Sequence, residues 1–585
     1  MNANQYRTAR SRRPVRQAHG FGGLTTWGRP GRRRVLQGGL GLVAGSAAAL
    51  LLACGDDDEK DEAGVTTAPG GATAPQGAEA PKRGGRLGEF VGSNTNNLNV
   101  VSDAIQGAYI GGLRVYDRLV SQRPGKDTAR EYVLEAAQSV EQPDPTTVIF
   151  KLKPGMTFHN RPPVSGRAVT AEDVVKTQFY VRDNPRSSIK YFQTEAMRNG
   201  EAPDTQTVVF TLKAPAAYLF SGTELAHVQG SCIVPTELHD TLDSAWQIGS
   251  GPYELAEYEV NVRYRYKRFE NFRDAAQGLP YVAEKELRVV IDAAAQEAAF
   301  RSKQAHIWGY PQAGPPFPNI ADQLKKDLGD RIELEEYLNP AMNTLVANVN
   351  RPPWNDVRVR EALYRYLDRE QLVDLLEAGR GKVTSGPLSV PLEEYQLDPK
   401  QTEKYWKQDP RAARQLLEAA GFPFDREVEL IIAPSARNQQ AAEIIQELAS
   451  RAGVKVRIVS LPFPEWVDRG RQPDTWEWWW SGHPPYDTPL DLLRFRHSQT
   501  KHGLQYTGLR DPQTDKMIEQ SEQTLDRAER VKLVKDIQIA LLEKYTPFII
   551  THNAPAFLAR WKSVRDYEHN PFFQPMNQAQ MWLDE

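Results

Sequence analysis

A mixed α/β architecture follows from three features of this 585-residue chain. Strand-like and helix-like segments alternate from Gly84 onward, and the stretch 428–459 reads strand, helix, strand. The length asks for about three core-bearing units at roughly 100–200 residues each. An apolar fraction of 40% with 25% charged residues excludes a collagen, a coiled coil and a wholly disordered chain. Two cysteines exclude a multi-bridge disulfide framework and any Cys-built zinc or iron–sulfur site.

The first element is an address. Residues 1–53 carry nine Arg and no acidic residue. Arg32-Arg33-Arg34-Val35-Leu36 precedes an apolar run from about Gly38 to Ala53, the pattern of an export signal rather than a membrane span. The paired arginines resemble the twin-arginine signal, with Gly31 and Gln37 departing from its usual flanks. Leu51-Leu52-Ala53-Cys54 is similar to a bacterial lipobox, which implies that Cys54 carries acyl chains and tethers a soluble body to the membrane surface. Cys232 then has no intramolecular disulfide partner. Residues 54–83 open on an acidic run and continue mostly in Gly, Ala, Thr and Pro, so they are expected to form a solvated tether. Without the first 53 residues the chain holds 63 basic and 75 acidic groups. That balance gives no general attraction to nucleic acid.

In the body, Thr147 to Leu152 reads as a strand ending at Pro154-Gly155. Thr170-Ala171-Glu172-Asp173 opens a helix, with a cap oxygen and an acidic pair at the positive end of the dipole. Asp356 starts another helix, and Asp409-Pro410 starts one that stops at Gly421. Strand Val428 to Ile432, helix Gln439 to Ala452 and strand Val454 to Val459 predict a parallel pair.

These segments, in this order, resemble the bacterial extracellular solute-binding proteins of the oligopeptide, dipeptide and nickel-binding family (family 5), which serve ABC importers. Gly84-Gly85-Arg86-Leu87 looks like the family's first mature strand. The run from Leu152 to Asn160, followed by Val169 to Val174, is similar to its main signature, here with about five extra residues between the halves. Ile248 to Tyr253 matches its glycine turn, Asn348 to Arg360 a third block, and Asp409 to Gly421 a fourth. Val140 stands where the family has Trp, a packing substitution.

The resemblance implies a two-lobed, periplasmic-binding-protein-like type II fold with a satellite subdomain and discontinuous lobes joined by a hinge. Lobe I is expected at 84–115, 246–345 and 549–585, the satellite at 116–245, and lobe II at 346–548. Ligand lies between the lobes and closure buries it.

No nucleophile, metalloprotease or phosphate-loop motif is convincing. Gly39-x-Gly41-x-x-Ala44 falls in the export signal, and Ser187-x-x-Lys190 lacks its companion motifs. None of the ten histidines forms a metal-binding helical pair, so no metal and no cofactor is expected. Residues 474–489 are the most informative. Strand alternation puts Trp476, Trp478 and Trp480 on one side and Glu477 with Trp479 on the other, either as a core strand or as a ligand-stacking face. By resemblance, Trp480 lines the pocket, and peptide-binding relatives carry an Asp three positions later for the peptide ammonium. This chain has His483 there, with Asp487 a substitute and Tyr486 beside it. Asn97, in a loop with Asn94, Asn96 and Asn99, is placed at the cleft edge, either contacting ligand or shaping the turn; Arg469 and Arg471 read as a charged loop.

The expected protein is therefore a non-enzymatic, monomeric receptor outside the cytoplasmic membrane, in the periplasm or on the cell surface. It hands a solute, first of all a peptide, to a membrane permease driven by a separate ATPase. An oligosaccharide, a glycoside or a metal complex is the alternative ligand, and a secreted hydrolase is the rival class.

Overall fold

The computed structural model describes residues 80–92, 98–101, 108–123, 125, 131–187, 190–222, 224–227, 230–242, 246–309, 318–470, 472, 475–498, 510–572 and 578–585. The export signal, Cys54, nearly all of the tether, Asn97 and Arg471 lie outside them. No helix among the described residues is long and apolar enough to cross a membrane.

The first element among the described residues is β1 (Gly84–Val91). A short antiparallel pair follows, β2 (Val120–Gln122) with β3 (Tyr132–Leu134). Next come β4 (Ala137–Asp144), β5 (Thr147–Leu152), β6 (Met197–Glu201) and β7 (Thr207–Leu212), an antiparallel sheet in the order β4-β5-β7-β6. The helix Ala171–Asp183 packs on it, held at its start by a capping box between Thr170 and Asp173. Val140 is buried in this core. The chain then returns through β8 (Tyr253–Glu259), β9 (Arg263–Arg268) and β10 (Val282–Val289), whose sheet runs β1-β10-β9-β8 with β1 parallel to β10. The glycine turn before β8 is a close-approach device. A Cβ on Gly249 would sit 2.1 Å from the Val115 carbonyl oxygen, and one on Gly251 2.8 Å from that of Arg114.

The third sheet holds β11 (Ile307–Gly309), β12 (Ile332–Ala347), β13 (Glu427–Ile432), β14 (Lys455–Ser460), β15 (Trp478–His483) and β16 (Phe548–Trp561). Its order is β11-β16-β12-β15-β13-β14. The expected strand–helix–strand unit is present: β13 and β14 are parallel, joined by the helix Ala436–Ser450. Two apolar clusters sandwich the lower part of this sheet. One contains Trp354, Tyr366, Trp478 and Trp480; the other contains Trp466, Trp476, Trp479 and Phe548.

β12 and β16 pair antiparallel from Ile332–Trp561 to Val346–Phe548, and the ladder breaks register between Leu338 and Met342 and again at Asn343 and Thr344. The 345/346 division anticipated from sequence falls inside β12, and the 548/549 division at the first residue of β16. The register break leaves carbonyls without ladder partners, and Asn553, fully buried on β16, collects them. Its Nδ2 donates to the oxygens of Asn339 at 2.9 Å and Ala341 at 3.2 Å and to Ser389 Oγ at 2.8 Å, while Oδ1 accepts from Val390 N at 2.9 Å. Beside it, His552 Nε2 meets Glu377 Oε1 at 2.9 Å, and Glu377 is also paired with Arg437. Asn553→Ala would strand several buried polar groups at once. Its expected cost is about 1–3 kcal/mol, read as a lowered urea midpoint at unchanged slope.

Candidate functional site

The Trp-rich segment departs from simple alternation. β15 starts only at Trp478, because the two residues before it are captured from outside the strand. Asn348 Nδ2 donates to the Trp476 carbonyl at 2.9 Å, and Glu477 accepts from Arg426 Nη1 at 2.8 Å and from the Glu429 amide at 3.2 Å. Trp476 therefore packs on the Trp479 side, with ring centroids 5.5 Å apart, and not beside Trp478 and Trp480.

Trp478, taken from sequence as a ligand contact, is a core residue. It is fully buried, its ring 5.0 Å from Trp354 and 6.5 Å from Tyr366. Trp480 lies in the same cluster, at the end nearest the register break, and its indole N–H donates to Asn438 Oδ1 at 3.2 Å. Asn438 sits in the first turn of the helix Ala436–Ser450, next to the Arg437 that pairs with Glu377. Trp480 thus ties one face of the sheet to the hinge network.

His483, the last residue of β15, pairs with Met342 and points to the opposite face, its ring 5.0 Å from Phe495 and 4.9 Å from Phe548. Tyr486 is half-buried, with its ring 6.1 Å from Phe495. Asn99 makes the turn contact that sequence allowed for this loop: its Oδ1 accepts from Val101 N at 2.9 Å. Arg469 is held by Glu429 and the Thr475 carbonyl. Lys190 donates to the carbonyls of Arg182 and Asn184, a structural role at a helix end. Among the described residues no group of three His, Cys, Asp or Glu is arranged to hold a metal.

Asp487 organises the place where the 346–548 part meets the 116–245 part. Its Oδ2 accepts from Gln122 Nε2 at 2.8 Å on β2, Tyr132 OH at 2.9 Å on β3, and the Gly222 amide at 2.9 Å. Oδ1 is buried with no hydrogen-bond partner among the described residues, as is Oγ1 of the adjacent Thr488. Burial pushes the Asp487 carboxyl above its ordinary range against the pull of these donors. Below it, Arg494 reaches Glu224 and Glu522 at 3.2 Å each, all three side chains enclosed, and Arg530 lies over the Tyr218 ring at 5.2 Å. Gln122, Tyr132, Gly222 and Glu224 had no signature in the sequence. They lie more than 260 residues from the groups they meet, and nothing local marks them.

The arrangement is a seam of charge-assisted bonds beside an aromatic wall, with Asp487 Oδ1 and Thr488 Oγ1 buried and without a hydrogen-bond partner among the described residues. It contains no nucleophile–base pair of the kind covalent catalysis requires among the residues named here. Known proteins resemble this chain over most of its length. The dipeptide-binding protein of Escherichia coli (strain K12) is 25% identical over 485 residues, 78% of this chain and 87% of that protein. Heme-binding protein A of Haemophilus influenzae is 24% identical over 78% of this chain and 85% of its own length. The periplasmic binding protein DppA of Helicobacter pylori, solved with the peptide STSA, superposes with a TM-score of 0.71 at 18% identity, over 86% of this chain and 99% of that one. The fold is that of the two-lobed type II binding proteins. The family model for the middle region of bacterial extracellular solute-binding proteins, family 5, matches residues 131–502, and the chain belongs to that family.

Proposed function

We propose that the chain is the ligand-capturing component of an ABC importer, and that it closes on a peptide at the seam around Asp487. The observation that carries this is the Asp487 carboxylate: one oxygen bonds three donors of the 116–245 part, and the other is buried and unpartnered among the described residues. A peptide supplies N–H donors to such an oxygen and apolar side chains to an aromatic wall. His483, Tyr486 and Asp487 form that wall, and Trp480 braces it from the other face of the sheet. The ligands named for the dipeptide-binding and STSA-bound relatives support the peptide class.

Lobe I is taken as 84–115, 246–345 and 549–585, with 116–245 as a satellite and 346–548 as lobe II, and β12 and β16 are the hinge. Ligand stabilises the closed form by contacts that only the closed form offers. A monomeric body hangs from the outer side of the cytoplasmic membrane through acylated Cys54, presents the closed outline to a permease, and leaves ATP hydrolysis to a separate subunit.

Three measurements check this reading. Calorimetry against a panel of di- to pentapeptides should find binders, and Asp487→Ala should weaken them by at least about 1.4 kcal/mol, tenfold in Kd. A panel without binders, or steady hydrolysis of a binder by the pure protein, rejects it. The pH dependence has a definite sign. Asp487 has the higher pKa when enclosed, so closure is most favoured below the ordinary carboxylate range near ~3.9, and that contribution is lost as pH rises toward the raised value. The radius of gyration of ligand-free protein should therefore grow as pH rises from the ordinary carboxylate range through the raised one, while Asp487→Asn flattens the curve. Finally, Cys54→Ser should move the protein from the membrane to the soluble fraction.

A further inference from the structure

Arg496, two residues beyond the helix Leu490–Arg494, is 2% exposed. Its Nη1 donates to the Leu492 carbonyl, and its guanidinium carbon lies 4.4 Å from the centre of the Phe548 ring. Its Nε and Nη2 are buried and have no hydrogen-bond partner among the described residues.

The other buried arginines compared here are more fully engaged, none of them having two idle nitrogens. Arg114 meets Glu89 at 2.8 Å, Arg494 meets Glu224 and Glu522, and Arg360 donates to four backbone carbonyls. Arg369 has no carboxylate, yet it donates to the carbonyls of Thr384 and Ile550 and stacks 3.4 Å from the Trp406 ring. Arg496 alone in this comparison combines enclosure with two idle donors.

Among the described residues no acid is placed to complete it. Asp515 and Glu519, on the neighbouring helix Pro512–Gln523, are turned to His497, and Asp515 also accepts from the Ser498 amide at 2.8 Å. The following stretch, 499–509, contains no Asp or Glu. Burial pushes the guanidinium down to about 9, and the nearby Tyr364 phenol is a neutral neighbour rather than a counterion. That phenol donates to the Thr546 carbonyl at 2.9 Å, and Thr546 Oγ1 is itself buried and unpartnered among the described residues. A buried charge is retained at a cost unless something completes its hydrogen bonds.

The chemistry of the missing partner can be read from which nitrogens are idle. Nε–H and one terminal N–H on the same edge of a guanidinium point the same way, and together they match the two oxygens of a carboxylate. Phe548, on which Arg496 lies, also touches the His483 ring at 4.9 Å, so the idle edge belongs to the layer directly behind the aromatic wall.

We propose that Arg496 is the base of a buried anion site, behind the His483–Phe548 wall, that takes a carboxylate of the bound ligand through Nε and Nη2. The link to ligand rests on the reading of that wall as ligand-facing; the anion site itself does not.

The test uses formate as the probe, with ionic strength matched by sodium chloride and phosphate run in parallel, and reads thermal unfolding of the full chain. Formate should raise the midpoint of the wild-type protein. Arg496→Met should abolish that rise and should unfold, when empty, no earlier than wild type, because it removes an uncompensated buried charge. Arg496→Lys, which keeps the charge and loses the fork, should keep only part of the response and serves if the Met variant does not fold. No formate response in wild type, or an undiminished response in the variants, overturns the site. A stronger response to phosphate than to formate overturns the carboxylate assignment. Failure of the peptide panel with the formate response intact would sink the peptide reading while leaving the anion site standing.

Discussion

Two paired strands carry the whole mechanical burden of this molecule. The chain passes from 84–331 to 348–547 along β12 and returns along β16, and these strands are hydrogen-bonded to each other over most of their length. That ladder is broken in register between Leu338 and Thr344. The break is not loose. Asn553 gathers the carbonyls it releases, and Glu377, His552 and Arg437 form a polar cluster beside it. A continuous ladder would be too stiff to bend, and an unsatisfied break would be too costly to keep.

Polar groups link the two parts at this seam. Asp487, Arg494 and Arg530 extend from the 346–548 part and engage Gln122, Tyr132, Gly222, Glu224 and Tyr218 of the 116–245 part. Bonds of this kind are directional and reversible. The aromatic content of β15 serves the interior instead: Trp478 and Trp479 face opposite clusters and fasten the sheet to helices on both sides.

Much of the fold was legible in the sequence, for a local reason. Thr170, Asp356 and Asp409 each cap their own helix through a hydrogen bond to a backbone amide two or three residues on, so the signal and its effect share one short stretch. The strand–helix–strand unit over 427–460 was legible through periodicity in the same way. Alternation failed at Trp476 because Asn348, 128 residues away, takes its carbonyl. The site was legible only on one side: His483 and Asp487 stood out beside the tryptophans, but their partners did not.

By itself the sequence determined the order of elements, where helices begin, the parallel pair, the likeness to solute-binding proteins and the short list around Trp480 to Asp487. Each of these rests on residues that act on near neighbours or recur in a fixed pattern. Tertiary structure alone decided that Trp478 is core, that Asp487 bridges to β2 and β3, that Asn553 secures the hinge, and that Arg496 is enclosed with two donors idle. Those outcomes depend on which distant groups share one small volume, and a single chain's order does not encode that distance.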